Sequence, residues 1–277
     1  MSRFRRRKLV NYVMLGLAGV CTAIVLVPLV SLLALVISRG LAGLNLEFFT
    51  QLPKPVGEPG GGMANAIVGT LTMVTMACIL GLPVGILAGT YLSEFGRGPL
   101  AGTVRFMSDV LTGVPSIVVG IFVNVVVVIR TGHFSAYAGA LALAIIMIPL
   151  VTRTTEEMLR MVPNSLREAS LALGATRART VGSIVYRSAS AGLITGSLLA
   201  VARVAGETAP LLFTALNNRF WHHTLSEPIA SLPVYIYRYA ISPYKDWQQQ
   251  AWTAALVLVL MVLTTSVAAR IAVSLRK

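Results

Sequence analysis

The chain has 277 residues, of which 56 % are hydrophobic and only 12 % are charged. A water-soluble domain has about a quarter of its residues charged, so this composition excludes an ordinary soluble protein and indicates one that faces lipid. The formal net charge of +13 would suit a nucleic-acid-binding protein. The basic residues, however, are distributed between long apolar stretches, and we expect no nucleic-acid partner.

Six stretches of the sequence are apolar enough to cross a membrane as helices, each of which needs about 20 residues. In chain order, the predicted spans are 12–37, 64–91, 106–129, 136–151, 190–216 and 251–271. We therefore predict an all-α integral membrane protein with a single transmembrane domain over residues 1–277. The fourth span is short, and its helix is expected to continue beyond the membrane. Prolines inside the spans, at positions 83, 115, 149 and 210, predict kinks or locally unwound backbone.

The basic residues outside the spans and at their ends fall unevenly on the two sides of the membrane. Six spans put both termini on one side with loop 152–187, and this side has sixteen Lys and Arg residues against six on the other. Cytoplasmic loops have the excess of Lys and Arg. We therefore predict that both termini are cytoplasmic and that loop 217–250 is on the outer side.

Glycines at helical spacing predict where the spans pack against each other. Gly81, Gly85 and Gly89 follow at four-residue steps in the second span, and Gly192 and Gly196 repeat the spacing in the fifth. Such small residues let another helix approach closely. Aromatic residues are concentrated in loop 217–250, which predicts an interfacial belt, a docking surface for an external protein, or both.

Loop 152–187 has the features of a compact helical hairpin. Ser165 and Glu168 fit a capping box that starts a first helix, and Gly174 can end that helix in the left-handed conformation. Thr176 can then cap a second short helix through Ile184. From the residues alone, this hairpin is either a simple connector or a docking element.

The same loop resembles the EAA loop of bacterial ABC-importer permeases. The resemblance rests on Glu168, Ala169 and the following Ser170, on Gly174, and on Ile184 ten residues later. In that family the loop couples the permease to a groove of a cytoplasmic ATPase. The sequence departs from the family pattern after Ile184, where Tyr186 and Arg187 replace a common Leu-Pro, so the end of the coupling element stays open.

Longer segments are similar to the PstA-type permeases of phosphate importers. They are 60–71, 108–118, 202–216, 228–233 and 247–252, and the resemblance covers about residues 60–270. It implies the type I ABC-importer permease fold and location in the bacterial inner membrane. It also implies three kinds of partner besides the lipid bilayer: a PstC-type permease, two copies of a PstB-type ATPase that bind ATP and Mg, and an external PstS-type phosphate-binding protein. This chain itself would bind no cofactor.

Charged residues inside the predicted spans are the candidate residues of a substrate path. Arg203 lies about midway along the fifth span, and Glu207 follows four residues later, at the spacing of a helical ion pair. Arginine offers a planar, always-charged fork for phosphate oxygens, so Arg203 can meet an anion in transit while Glu207 holds it or gates the path. Alternatively, the pair only fixes helix packing. Asp109, at the end of the third span, is either a partner for a neighbouring cation or part of the path.

Other functional classes find less support. The sequence has no Gly-x-x-x-x-Gly-Lys-Ser/Thr loop, so we expect ATP hydrolysis on separate chains. No catalytic residue or metal site can be proposed, because the histidines have no carboxylate or Cys at ligand spacing. A secondary anion transporter driven by an ion gradient stays an alternative, although the halves show no similarity and the coupling loop would be unexplained. An ABC permease for a different oxyanion is the other alternative.

Overall fold

The structure is a computed structural model that describes residues 3–58 and 60–274. Within these residues the chain forms helices and no strand. The first half contains α1 (Arg3–Leu41), α2 (Leu46–Thr50), α3 (Ala64–Thr90), α4 (Pro99–Gly113), α5 (Ser116–Val123), α6 (Ile129–Thr131) and α7 (Ala136–Arg160). The second half contains α8 (Asn164–Ala172), α9 (Arg177–Thr180), α10 (Tyr186–Ala205), α11 (Ala209–Thr214), α12 (Leu232–Ala240) and α13 (Lys245–Ser274). The all-α prediction is confirmed.

The number of membrane-crossing helices agrees with the predicted spans. Among residues 3–58 and 60–274, five helices are long and apolar enough to cross a membrane, and there are six if one bent pair counts as a single span. The bent pair consists of Pro99–Gly113 and Ser116–Thr131, whose axes differ by 102°. The bend falls at Val114 and Pro115, where Pro115 removes a backbone donor and disfavours helical backbone at Val114. By contrast, α3 and α7 continue through Pro83 and Pro149 without a break.

Helix α7 is the centre of the molecule, and both glycine stripes pack against it. A Cβ atom built on Gly85 would lie 2.7 Å from the Cβ of Val151. In α10, a Cβ atom on Gly192 would overlap the side chain of Met158. The predicted close helix packing is therefore confirmed, and α7 is its common partner. Helix α7 also runs to Arg160, well past residue 151, the predicted end of the fourth span, so the expected continuation of this helix is confirmed.

Helix α1 is exposed along most of its length and joins the rest of the chain near its C-terminal end. The Gln249 side chain donates to the carbonyl of Arg39 over 2.7 Å, and Thr253 Oγ1 donates to the carbonyl of Gly40 over 3.1 Å. These bonds attach α1 to α13. The remaining apolar surface of α1 is available to lipid or to another chain.

The predicted fifth span, 190–216, is a broken helix. Helix α10 ends at Ala205, and α11 begins at Ala209, just before Pro210. Pro210 occupies the first turn of α11, where its missing N–H leaves no helical hydrogen bond unmade. The unwound backbone expected near Pro210 is thus present, and it separates Arg203 from α11.

Two tyrosines of segment 217–250 belong to the core and not to an interfacial belt. Tyr235 and Tyr239 are 1 % and 3 % exposed, and the Tyr239 ring stacks on Trp247 with centroids 4.3 Å apart. Burial raises the pKa of the Tyr239 hydroxyl to about 12. The exposed rings Trp221 and Tyr237 remain available to an interface.

Candidate translocation path and coupling loop

The predicted end of the first helix in loop 152–187 is confirmed at Gly174. Its φ angle is +81°, in the left-handed region that glycine adopts without strain. The N–H of Gly174 donates to the carbonyl of Leu171, and the N–H of Ala175 donates to that of Ser170. These two bonds form a Schellman motif. Thr176 then caps the next helix through its Oγ1, which accepts from the N–H of Arg179 over 3.3 Å.

The predicted start of this hairpin is wrong. Helix α8 begins at Asn164 with Pro163 at its N-cap, and no side chain caps it. Pro163 biases the residue before it away from helical backbone, so the helix starts directly after the proline. Ser165 therefore lies inside the first turn, and Ser165 and Glu168 form no capping box.

The predicted second helix of the hairpin begins after Thr176 as expected, but it does not end at Ile184. From Arg177 the chain continues through α9, a π-helical turn at Val181–Val185 and α10 as one apolar helical stretch, Arg177–Ala205. Ile184 lies in that π-helical turn and is half-buried. The hairpin is thus a short helix, α8, joined by a tight turn to the beginning of the fifth span.

The tip of the hairpin is free to contact another protein. Glu168, Ala169 and Gly174 are exposed, and Leu173 is 89 % exposed. An apolar side chain with this exposure at the end of a short helix suits insertion into a groove. Three of the four predicted coupling residues are therefore exposed, and the fourth, Ile184, is half-buried.

An arginine for which the sequence predicted no role attaches the hairpin to the spans. Arg167 donates to both carboxylate oxygens of Glu94, over 2.6 and 3.1 Å. Its other N–H groups donate to the carbonyls of Leu159 (2.8 Å) and Val162 (2.5 Å) and to Asn164 Oδ1 (3.3 Å). All five guanidinium donors are therefore used. We call Arg167 and Glu94 the Arg167 clamp.

A second charged group, also missed, lies between α4 and α7. Glu156 is buried, and its Oε1 accepts a hydrogen bond from Arg105 over 2.7 Å. Arg160 forms an ion pair with the same oxygen, also at 2.7 Å. Arg153 lies 3.5 Å from its other oxygen. We call these four residues the Glu156 cluster. Arg153 and Arg160 lie at helical spacing from Glu156, so the sequence contained a signal for two of the three partners.

Asp109 belongs to the edge of the Glu156 cluster. Its Oδ1 forms an ion pair with Arg153 Nε, 2.9 Å away, and its side chain is half-exposed. Of the two alternatives for this residue, the contact favours a partner for a neighbouring cation. The structure gives it no contact with Arg203.

Arg203 and Glu207 meet at the break in the fifth span. Arg203 is in the last turn of α10, and Glu207 lies in the unwound segment, so the two do not share a helix face as predicted. Their nearest charged atoms are 3.9 Å apart, which is an ion pair without a hydrogen bond. The Arg203 side chain is 49 % exposed and that of Glu207 is 17 % exposed. The guanidinium is therefore available to another anion.

The segment after the break between α10 and α11 packs against Ser116–Thr131, the second helix of the bent pair. A Cβ atom on Gly120 would lie 2.6 Å from Pro210 Cα, so α5 and α11 are in direct backbone contact. Asn124 Nδ2 donates to the carbonyl of Phe213 over 2.7 Å and satisfies a group that the short helix leaves free. Arg203 thus lies at the end of α10, and α5 holds α11, the helix that follows the break.

Comparison with known proteins identifies relatives over nearly the whole chain. Residues 81–275 match the family described as "Binding-protein-dependent transport system inner membrane component". "Phosphate transport system permease protein PstA" of Xylella fastidiosa strain Temecula1 is 48 % identical over 269 residues, 96 % of this chain and 93 % of that protein. "Probable phosphate transport system permease protein PstA" of Methanocaldococcus jannaschii is 37 % identical over 268 residues, 96 % of this chain and 94 % of that protein.

Solved structures of ABC importers have the same fold. The inward-facing MetNI methionine ABC transporter matches with a TM-score of 0.61 and 21 % identity, over 78 % of this chain and 97 % of that one. A bacterial ABC transporter involved in the import of alginate matches with a TM-score of 0.63 and 14 % identity, over 96 % and 95 % of the two chains. The fold is therefore that of ABC-importer permeases. With the family match and the relatives above, it shows that the chain belongs to the PstA family of phosphate transport system permease proteins.

Proposed function

We propose that this chain forms half of the translocation path of an ATP-driven phosphate importer and that Arg203 contacts the phosphate in transit. The observation that supports this most is the half-exposed guanidinium of Arg203 at a helix break, paired with Glu207 only at 3.9 Å. An ionised arginine in a membrane span costs about 2.5–3.5 kcal/mol on insertion scales and normally faces a bundle interior or wet cavity. Its bidentate fork fits phosphate oxygens.

The partners of the chain follow from the same proposal. A PstC-type permease completes the path, and a PstS-type protein delivers phosphate from outside. Two PstB-type ATPases bind ATP and Mg, and one of them receives the exposed tip around Glu168, Ala169 and Leu173. The chain itself is non-catalytic and binds no cofactor. It lies in the inner membrane with both termini cytoplasmic, in agreement with the excess of basic residues on that side.

Uptake by the assembled importer tests the role of Arg203. Arg203→Gln should abolish phosphate uptake while the complex stays assembled and the external protein stays loaded. Arg203→Lys should restore uptake only in part, because the ammonium keeps the charge but loses the planar fork. Arg187→Lys is the matched control, since Arg187 is exposed near the start of the same helix. Uptake by Arg203→Gln equal to wild type would contradict the proposed contact.

Membrane vesicles that contain the assembled importer test the substrate and the energy source. Phosphate uptake should require ATP inside the vesicles and loaded binding protein outside them. Uptake that follows an imposed ion gradient without ATP would support a secondary transporter instead. Uptake of another oxyanion in preference to phosphate would support the remaining alternative.

A further inference from the structure

The Arg167 clamp joins three elements that meet next to the coupling loop. Arg167 belongs to α8, and Glu94 belongs to the π-helical turn Tyr91–Phe95 that directly follows α3. The carbonyls that Arg167 also binds, those of Leu159 and Val162, are at the C-terminal end of α7 and just after it. The Arg167 side chain therefore connects α8 to the ends of two membrane spans. We call α8, the short helix of the predicted coupling loop, the coupling helix.

The geometry of the clamp is that of a rigid link. The side chains of Arg167 and Glu94 are 18 % and 6 % exposed, and the pair is bidentate. Bidentate Arg–carboxylate pairs fix orientation as well as distance, and hydrogen bonds between ionised groups are roughly twice as strong as neutral ones. With all five donors used, the guanidinium cannot rotate without breaking several bonds at once.

A second arginine of the hairpin contacts the same turn. Arg177, at the start of α9, donates to the backbone carbonyl of Glu94 over 3.0 Å. Its guanidinium also lies 5.1 Å from the centre of the Phe95 ring, at cation–π distance. The π-helical turn is therefore contacted by both helices of the hairpin, before and after Gly174.

We propose that the Arg167 clamp transmits movement of the coupling helix to the spans α3 and α7, so that Arg167 and Glu94 are positioning residues for coupling ATP hydrolysis to transport. This inference rests on the proposed function. A load applied at the exposed tip of α8 passes through the clamp because Arg167 is the residue of α8 that binds both spans through its side chain, among the residues the structure describes. A loosened clamp would let α8 move while the spans stay in place.

The decisive quantity is the number of phosphate ions imported per ATP hydrolysed by the assembled importer in vesicles. Arg167→Lys keeps the charge and loses the fork, and Glu94→Gln keeps the shape and loses the charge. We expect each to lower this ratio about tenfold, within the usual range of coupling between two sites, while ATP hydrolysis continues. A protein with a purely structural clamp would lose assembly and hydrolysis together.

Two controls separate the clamp from nonspecific damage. Glu157→Gln and Arg187→Lys change exposed residues of the same types, and both should leave the ratio unchanged. The double variant Glu94→Gln with Arg167→Lys should be no worse than the poorer single variant, because residues that act as a pair are not additive.

The results that overturn the proposal are distinct from those that overturn the function. An unchanged ratio in either clamp variant, or failure of both single variants to assemble, would show that the clamp is only a fastener. Strictly additive losses in the double variant would show that the two residues act separately. Absence of ATP-dependent phosphate uptake by the wild-type importer would instead contradict the proposed function.

Discussion

Substitutions in the Glu156 cluster are predicted to lower stability by different amounts, according to how deeply each residue is buried. Glu156 is the one nearly fully buried charge in a group whose arginines are partly exposed: its side chain is 2 % exposed, against 28 % for Arg105, 36 % for Arg153 and 55 % for Arg160. Replacing Glu156 with Gln keeps the volume but removes the charge, and it brings an amide donor towards guanidinium donors. Breaking a buried ion pair from one side costs about 3–5 kcal/mol.

The exposure of the arginines sets the order of the effects. Because they can turn towards water when Glu156 is neutralised, we expect Glu156→Gln to cost about 2–3 kcal/mol, below the buried-pair range. Arg105→Gln should have an intermediate effect, since Arg105 also donates to the carbonyl of Leu92 over 2.9 Å and links α4 to the π-helical turn that follows α3. Arg160→Gln should cost about 0.5 kcal/mol or less, because Arg160 is more than half exposed and Arg105 stays bonded to the same oxygen of Glu156.

The apparent melting temperature of the assembled importer in detergent measures this order. Glu157→Gln is the matched control, because Glu157 is the exposed neighbour of Glu156 and should leave the melting temperature unchanged. Equal losses for Glu156→Gln and Arg160→Gln would refute the argument from burial. A loss for Glu157→Gln as large as that for Glu156→Gln would refute the argument from the cluster itself.

Three further predictions concern the coupling turn, the orientation and the glycine stripe. Gly174→Val should lower transport and ATP hydrolysis together, because a β-branched residue at a φ of +81° is strained. The control Gly182→Val should lower neither. Full coupled transport by Gly174→Val would reduce the loop to a connector. Single cysteines in 217–250 should react with an impermeant thiol reagent in intact cells and those in 152–187 only after permeabilisation; the reverse pattern would invert the topology. Gly85→Leu should prevent assembly, since a side chain there overlaps Val151, and normal assembly would contradict the observed packing.

Features that follow from residue spacing along one helix could be predicted from the sequence. The glycine stripe around Gly85 predicted a close helix contact, and the left-handed end of α8 at Gly174 followed from glycine's freedom at positive φ. Pro115 and Pro210 predicted where the third and fifth spans depart from regular helix. The 102° angle of the bend was not predictable, because it depends on what packs against each arm.

Features that depend on contacts between distant residues could not be predicted. Arg105 and Glu156 are separated by 51 positions and Glu94 and Arg167 by 73, so neither pair has a local signature. The residues of each pair meet only because other elements of the fold pack beside α7. The ion pair of Arg203 with Glu207 was predicted from their spacing, but the helix break between them was not. Arg203, predicted about midway along the fifth span, lies in the last turn of α10, because that helix ends at Ala205.

Phosphate uptake by an assembled double variant, Arg203→Leu with Glu207→Leu, tests the central proposal most directly. Replacing both partners with apolar residues leaves no unpaired charge, so a pair that only fixes packing would be replaced without loss of assembly. If Arg203 contacts the anion in transit, the double variant assembles, binds its loaded external protein and imports no phosphate. Near-normal phosphate uptake by that variant would show that the pair is structural and that the path lies elsewhere.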